Sequence, residues 1–286
     1  MPTRIPLFLS LASACAAAQM TPVFLSHVYV VIDPASYEAI RHSAEIRALA
    51  SAKEKTVDPS HGGWTAFYIT GRQTAIEILV AGSTSAGDQW RLGQSGIGLG
   101  YGDAGGTPYI EKRLRATFGE KVMLEAGKSE TPGVVPWLIE IDVEGDGSDV
   151  LSTWFTEIAP GYLVARYPGA GIEHLLSHQQ YLAAGFLPDR LLDDVVGLTV
   201  ALNPSEASIL VAELKVAGWM IRQMEEKTVI SGPDIAITII PAGSRAGIRE
   251  VGLRLRRPTR RQDTSLGSAE LLLDGEMGRL RFWGSN

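Results

Sequence analysis

The sequence predicts an α+β fold built from repeated βαβββ modules, in which a strand and a helix precede three more strands. The prediction rests on two segments that begin as β-rich runs and end in Asp-Pro or Asn-Pro, 26–34 and 196–204. A pattern typical of a helix follows each of them, at 35–50 and 205–217. Similarity over this length indicates a fold assembled from copies of one supersecondary unit.

The two copies begin their predicted helices in the same way. Asp33 and Asn203 have side chains that favour the N-cap position, and Pro34 and Pro204 fit the first helical position. Gly218 then ends the second helix. The resemblance between the copies therefore includes the boundary between the first strand and the helix.

The repeat returns in the last strand of each copy. Residues 75–82 align with residues 236–243 without a gap. Between the helix and this last strand, each copy has room for two further strands, which include 64–70 in the first copy and lie within 220–230 in the second. Each copy is therefore predicted to be one βαβββ module.

A weaker copy of the module follows each strong one. The first weaker copy has a predicted helix at 107–118 with strands on both sides, whereas the second has no obvious helix. The strands are predicted at 96–102, 134–143, 151–158 and 162–167 in the first weaker copy, and at 251–257, 269–273 and 278–283 in the second.

Four modules in two pairs follow from these copies. We expect an N-terminal pair at 19–170, a helical linker at 171–194 and a degenerate C-terminal pair at 195–286. Alternating glycines at 96–102 predict a strand with one bare face, where another segment or a ligand approaches closely. The arginine-rich run at 254–261 is typical of a solvated edge strand.

The first 18 residues have the design of a secretory signal peptide. Arg4 gives a positive start, an apolar run follows, and three alanines at 16–18 form a cleavage pattern. Cleavage there removes Cys15, the single cysteine; a lipoprotein anchored through Cys15 is the minor alternative. We expect export to the periplasm or medium of a bacterium, and no transmembrane segment in the mature chain, because no other stretch is apolar over sufficient length.

Composition and charge exclude several classes of partner. A hydrophobic fraction of 45% is ordinary for a globular protein. The net charge of −6 gives no electrostatic reason to expect nucleic acid. The sequence contains no phosphate-binding glycine loop and no dinucleotide fingerprint, so we expect no nucleotide cofactor. A small-molecule ligand remains the expected partner, and the oligomeric state stays open.

Three short motifs resemble the vicinal-oxygen-chelate superfamily, which includes glyoxalase I, bleomycin-resistance proteins and extradiol dioxygenases. They are Ser26-His27-Val28-Tyr29-Val30 on the first strand, Ile76-Glu77-Ile78-Leu79 on the fourth, and the run 90–101, which is similar to the crossing into the family's second module. The arrangement also resembles a bacterial group of exported glyoxalase-like proteins. The resemblance covers 23–167 and recurs in degenerate form at 195–283.

The resemblance implies an open barrel around a divalent metal, held by a histidine of the first strand and a glutamate of the fourth. At the matching positions stand His27 and Glu77, which suit Zn, Mn, Fe or Ni. The matching first-strand position of the second module falls at about Ile97, which cannot bind a metal. A third ligand is therefore needed, and Glu157 is the first candidate, followed by Glu140 and Asp142.

Three functions remain open at this point. The first is a divalent-metal enzyme of isomerase, lyase or dioxygenase type that acts on a small oxygenated substrate. The second is a metal-free protein that binds an aromatic or cationic ligand, and the third is a structural or interaction protein. His27 and Glu77 also fit a core histidine and a buried ion pair. Aromatic residues expected in the pocket are Trp64, Tyr68, Tyr101, Trp137 and Trp154, with Trp90 beside them.

We predict that the mature protein begins at Gln19. The alanines at 16–18 place the cleavage site after Ala18, so Arg4 and Cys15 are absent from the exported form. N-terminal sequencing of the protein from its native host checks this. A mature chain that still begins at Met1 contradicts it.

Overall fold

The computed structural model of the 286-residue chain describes most of both halves. Predictions at residues 1–18, at 163–167, at 171–184 and at Trp137 lie outside the described residues. The described residues are 22–56, 63–85, 88–101, 105–126, 138–144, 150–159, 162, 185–243 and 245–282.

The first module has the predicted order, but its helix is divided in two. Asp33 is the N-cap of the first piece, and its side chain accepts a hydrogen bond from the Ser36 amide. Ser43 has an extended backbone that ends this piece, and its hydroxyl caps the second. The elements are β1 (Val23–Ile32), α1 (Pro34–His42), α2 (Ala44–Leu49), β2 (Ser51–Thr56), β3 (Thr65–Thr70) and β4 (Ala75–Val80).

The second module repeats this order after a short hairpin. Its helix and the strand at 151–158 have the predicted bounds, whereas its second strand at 122–126 was not predicted. The hairpin is β5 (Thr84–Ser85) and β6 (Asp88–Gln89), and the module is β7 (Ser95–Tyr101), α3 (Thr107–Phe118), β8 (Val122–Ala126), β9 (Leu138–Val143) and β10 (Leu151–Ile158).

The third module is also complete, and its first strand begins inside the predicted linker. Asn203 and Glu206 form a capping box at the start of its helix. The elements are β11 (Leu192–Leu202), α4 (Pro204–Val216), β12 (Met220–Gln223), β13 (Thr228–Ser231) and β14 (Ala236–Pro241).

The fourth module, predicted as degenerate and without an obvious helix, is not confirmed, because a long hairpin takes its place. Its strands are β15 (Gly247–Leu266) and β16 (Ala269–Phe282), without an intervening helix. The sequence predicted a strand that ends at 257, before Pro258, whereas β15 continues to Leu266. The pairing with β16 shifts register on both sides of Thr259, and such an irregularity accommodates a residue without an amide hydrogen.

The strands form two mixed sheets, which confirms the α+β class. The eight-stranded sheet has the order β2-β3-β4-β1-β7-β10-β9-β8. At its centre β1 runs antiparallel to β7, and each pairs in parallel with the last strand of its own module. The six-stranded sheet has the order β12-β13-β14-β11-β15-β16. The hairpin thus occupies the place that a second module would fill.

The strand register reproduces the internal repeat. His27 pairs with Ala75 across β1 and β4, and Gly197 pairs with Ala236 across β11 and β14. Two residues further along, Glu77 lies opposite Tyr29 in the same way that Thr238 lies opposite Thr199. The alignment of the two strong copies therefore holds residue by residue, and His27 and Glu77 have no counterparts in the third module.

One hydrophobic core contains residues of both halves of the chain. The domain boundaries at 170 and 195 remain a prediction. The indole of Trp219 donates to the Val23 carbonyl over 3.0 Å. The tip of the β15–β16 hairpin contacts the start of α1, where the Ser268 hydroxyl donates to Asp33 over 2.5 Å. Within the described part of the chain, no helix has the length and apolarity needed to cross a membrane.

Glu213 is an acidic residue inside this shared core. It lies on α4 and is 2% exposed, and the Thr153 hydroxyl of β10 hydrogen-bonds to it. Its Oε2 has no hydrogen-bond partner within the part of the chain that the structure describes. Burial raises the pKa of Glu213 from its ordinary 4.5 to about 8, with a smaller contribution from the charge of Asp142. The contact between the halves therefore contains a carboxyl group that is neutral at pH 7.

We predict that Glu213→Gln flattens the pH dependence of stability. Between pH 4.5 and 8 the unfolded glutamate loses its proton while the folded one keeps it, so the wild type loses stability as pH rises. Glutamine stays neutral in both states. The free energy of unfolding of the variant should therefore rise relative to that of the wild type by roughly 3–5 kcal/mol between the two ends of this pH range. Urea unfolding at pH 5, 6.5 and 8 measures it.

Glu120→Gln is the matched control, because Glu120 is exposed in the turn after α3. It should unfold with the pH dependence of the wild type. If Glu213→Gln does so too, the buried carboxyl is not the source of the effect.

Candidate functional site

One face of the eight-stranded sheet is lined by aromatic side chains around a carboxylate. Directly paired residues share a face, so the register places Tyr68, Glu77 and Tyr29 in one row and His27 and Trp154 in the next. We call this face, defined by these five side chains, the aromatic face. Trp64 and Trp90 pack against it.

Glycines on β7 make room for the rings. A Cβ at Gly96 would lie 2.2 Å from the Tyr29 ring and 2.6 Å from Trp154. A Cβ at Gly98 would lie 2.7 Å from His27. The bare strand face predicted from the alternating glycines is thus covered by side chains of the protein itself.

Glu77 is 5% exposed and is held by two donors. The Trp64 indole and the Tyr68 hydroxyl both donate to Oε1, the latter over 2.8 Å. Burial raises the pKa of Glu77, while these two hydrogen bonds and the charge of Lys55 oppose the increase. Among the described residues, no donor contacts the other oxygen, Oε2. Glu77 therefore has one occupied and one open acceptor atom.

His27 follows a β-bulge in β1. The pairing with β7 shifts between Leu25 and His27, so Ser26 is the extra residue, and its hydroxyl lies 2.9 Å from His27 Nδ1. The imidazole meets the Trp154 ring edge to face at 5.0 Å. Burial lowers the pKa of His27 to about 4. The imidazole is therefore neutral at pH 7.

Glu157 was predicted as the third metal ligand, and the structure places it on the opposite face. It follows Thr156 on β10, so its side chain points away from Trp154. Its carboxylate accepts hydrogen bonds from the Gly105 amide and from the amide and hydroxyl of Thr107. Gly106, the N-cap of α3, has no side chain to cap the helix. Glu157 supplies the missing acceptors, which explains its burial.

The other candidates for a third ligand lie far along the sheet. Asp142 pairs with Trp154, which separates it from His27, and Glu140 lies one row beyond. Burial and neighbouring carboxylates raise the pKa of Glu140 to about 7, and that of Asp142 to about 6. In β7 the residue opposite His27 is Gly98, because Ile97 faces the core.

The described residues do not fit the metal site that the resemblance implied. His27 and Glu77 share a face as expected, but two ligands hold a divalent metal weakly, and a catalytic site needs about three. No group of three His, Cys, Asp or Glu side chains suited to a metal occurs within the described ranges. Glu77 Oε1 already accepts two hydrogen bonds. The geometry of the described residues therefore supports neither Zn, Mn, Fe nor Ni at this position.

The predicted pocket residues divide between the two faces. Trp64, Tyr68 and Trp154 belong to the site. Tyr101 does not, because it pairs with Val23 on the core face and packs against Gly106. Sequence reasoning did not assign Tyr29 to the pocket, although alternation along β1 from His27 puts it on the same face.

The comparisons with known proteins agree with a shared fold over most of the chain. A family model described as "Family of unknown function (DUF5829)" matches residues 25–282. The chain belongs to this family. No curated protein matches it significantly.

Among solved structures, a hypothetical protein from Staphylococcus aureus has a TM-score of 0.54 at 11% identity, with 85% of this chain and 95% of that chain covered. This likeness shows a common fold. The 2,3-dioxygenase LapB from Pseudomonas sp. KL28 scores 0.45 at 12% identity, covering 93% and 94%. A xylose isomerase-like TIM barrel/4-hydroxyphenylpyruvate dioxygenase fusion protein scores 0.41 at 8% identity, covering 77% of this chain and 32% of that one. The last two are too distant to assign the chain to their superfamily.

We predict that the protein does not retain a transition metal. Among the described residues, His27 and Glu77 are the only histidine and glutamate on the aromatic face, so metal content after purification without chelator should be below roughly a tenth of an equivalent. Added Zn or Mn should leave the melting temperature unchanged, because binding to the folded state alone would raise it. Stoichiometric metal that disappears in both His27→Ala and Glu77→Ala would overturn this assignment.

Proposed function

We propose that the aromatic face binds a small organic cation, with Glu77 as its charged anchor. The observation that supports this most directly is the open oxygen of Glu77. Oε1 is occupied by Trp64 and Tyr68, whereas Oε2 has no donor among the described residues. A buried carboxylate is costly unless it is fully paired. A ligand that brings a positive charge to Oε2 offsets this cost.

The charge balance around Glu77 favours a cation over an anion. Lys55 supplies some positive charge, but its effect on the pKa of Glu77 is smaller than that of burial. His27 adds none at neutral pH, because burial lowers its pKa to about 4. Burial raises the pKa of Glu77, and an ammonium group beside Oε2 would favour its ionised form.

The surrounding rings suit the rest of such a ligand. Tyr29 lies 5.3 Å from Trp90 and 5.8 Å from Trp154 between ring centroids, and it stacks on the latter. Aromatic faces attract cations through their quadrupole, and this attraction is strongest where water is excluded. Aromatic side chains around one or two polar groups are typical of the surfaces that bind small molecules. The function is thus that of a metal-free binding protein, one of the alternatives that the sequence left open.

The proposal includes the cellular location. The predicted signal peptide at 1–18 supports a protein that meets its ligand outside the cytoplasm. The acidic chain supports neither nucleic acid nor anionic lipid as its partner.

We predict that choline binds and that its neutral carbon analogue, 3,3-dimethylbutan-1-ol, does not. The two molecules have nearly the same shape, so a difference between their affinities measures the contribution of the positive charge. Glu77→Gln should weaken choline binding at least about tenfold, which corresponds to about 1.4 kcal/mol. Affinity should fall as the pH decreases through the raised pKa of Glu77, because protonation removes the anchor. Tryptophan fluorescence and calorimetry measure the binding.

Glu120→Gln serves again as the control, because it removes one negative charge far from the aromatic face. It should bind choline like the wild type. Equal binding of choline and the neutral analogue would sink the cation proposal. Saturable binding that survives Glu77→Gln unchanged would place the ligand elsewhere.

A further inference from the structure

A cavity of about 320 Å³ lies where the two halves of the chain meet. Its walls come from the turn between β3 and β4, the start of β11, the turn between β13 and β14, and the middle of β15. This volume is within the range of small-molecule sites. The cavity contains charged groups of both signs, Arg72 and Arg254 on one hand and Asp194 and Asp234 on the other.

The two arginines are held together by one carboxylate. Asp193, whose side chain is 14% exposed, accepts from Arg72 Nη2 over 2.5 and 2.6 Å and from Arg254 Nε over 2.7 Å. Each guanidinium keeps further N–H groups that no described residue accepts. The two guanidinium groups exceed Asp193 by one positive charge, while Asp194 and Asp234 bring two negative charges to the same cavity. A carboxylate ligand matches the fork-shaped arrangement of the remaining guanidinium N–H groups.

Asp194, the buried acidic residue of this cavity, already accepts hydrogen bonds from neighbouring residues. Asp194 is 5% exposed and accepts hydrogen bonds from the Thr74 hydroxyl at 2.5 Å and from the amides of Gln73 and Val195 at 3.1 Å. A Cβ at Gly71 would lie 2.7 Å from its Oδ1, so the turn fits closely around this carboxylate. Asp194 therefore builds the wall of the cavity and leaves the arginines available to a ligand.

Asp234 is the second polar group that a ligand would meet. It is exposed in the turn before β14, and no other described residue makes a hydrogen bond or ion pair with it. Phe24 and Ile235 line the same cavity and provide apolar surface. The cavity thus offers donors for a carboxylate, an acceptor for an ammonium group and a short apolar surface between the halves.

From this arrangement we infer that the cavity is a binding site for short amino acids. The ligand carboxylate lies against Arg72 and Arg254, and its ammonium group lies against Asp234. The site is distinct from the aromatic face and does not depend on the function proposed there. Because Arg72 and Arg254 come from different halves, a bound amino acid also bridges the two halves.

Calorimetry with glycine, β-alanine, γ-aminobutyrate and 5-aminovalerate tests the inference on the full chain. These zwitterions separate the two charges by increasing distances, so the tightest one reports the spacing between the arginines and Asp234. We expect saturable binding by at least one of them, and at least tenfold weaker binding of acetate and of methylammonium, which each have one charge. No saturable binding of any zwitterion up to roughly 10 mM would overturn the inference.

Two variants separate the roles of the charges. Arg254→Gln and Asp234→Asn should each weaken binding of the preferred amino acid at least tenfold. Asp234 has no partner to lose among the described residues, so its variant should keep the wild-type melting temperature. Arg257→Gln is the matched control, because Arg257 is exposed on the same strand outside the cavity. Acetate binding equal to that of the amino acids, together with an unaffected Asp234→Asn, would reject the zwitterion.

Discussion

The position of β1 between β4 and β7 is the constraint on which the rest of the structure depends. Every residue of this strand except Ser26 pairs with β4 or β7, so the bulge at Ser26 determines which side chains reach each face. A slip of one residue would exchange the two faces. His27 and Tyr29 would then enter the core, and Val28 would replace them beside Glu77. The aromatic face therefore exists only in one register, which β4 and β7 fix together.

The glycines of β7 add a second condition to this register. The rings of Tyr29 and Trp154 approach across Gly96, and His27 lies over Gly98. A side chain at Gly96 or Gly98 would collide with these rings and would keep the aromatic residues of β1 apart from Trp154 of β10. The resemblance placed the metal ligand of the second module at about Ile97, which lies on the core face. The glycines on either side of it are covered by aromatic rings, so β7 contributes no metal ligand to this face.

Local signals in the sequence predicted much of the fold. Asp33 and Asn203 cap their helices as expected, and the aligned segments 75–82 and 236–243 contain the predicted last strands, β4 and β14. Prediction failed where long-range pairing overrides local pattern: Pro258 indicated a strand end, but β16 keeps β15 extended. The site was predicted only in part for the same reason. The resemblance implied His27 and Glu77 from motifs within single strands, whereas the role of Glu157 depends on the start of α3, 50 residues away in sequence.

The contact between the hairpin tip and α1 has a consequence for the order in which the chain folds. Ser268 donates to Asp33, and Gly267, with a φ of +72°, fits against Ser36 where a side chain would collide. The first helix of the protein is thus completed by residues near its last strand. A nascent or translocating chain that has not yet delivered residue 268 presents this helix start with its N-cap still open to water. The start of α1 is covered only after the C-terminal hairpin has been synthesised. In truncated chains that lack the hairpin, proteases should therefore cleave near the start of α1, in the part of the chain that is made first.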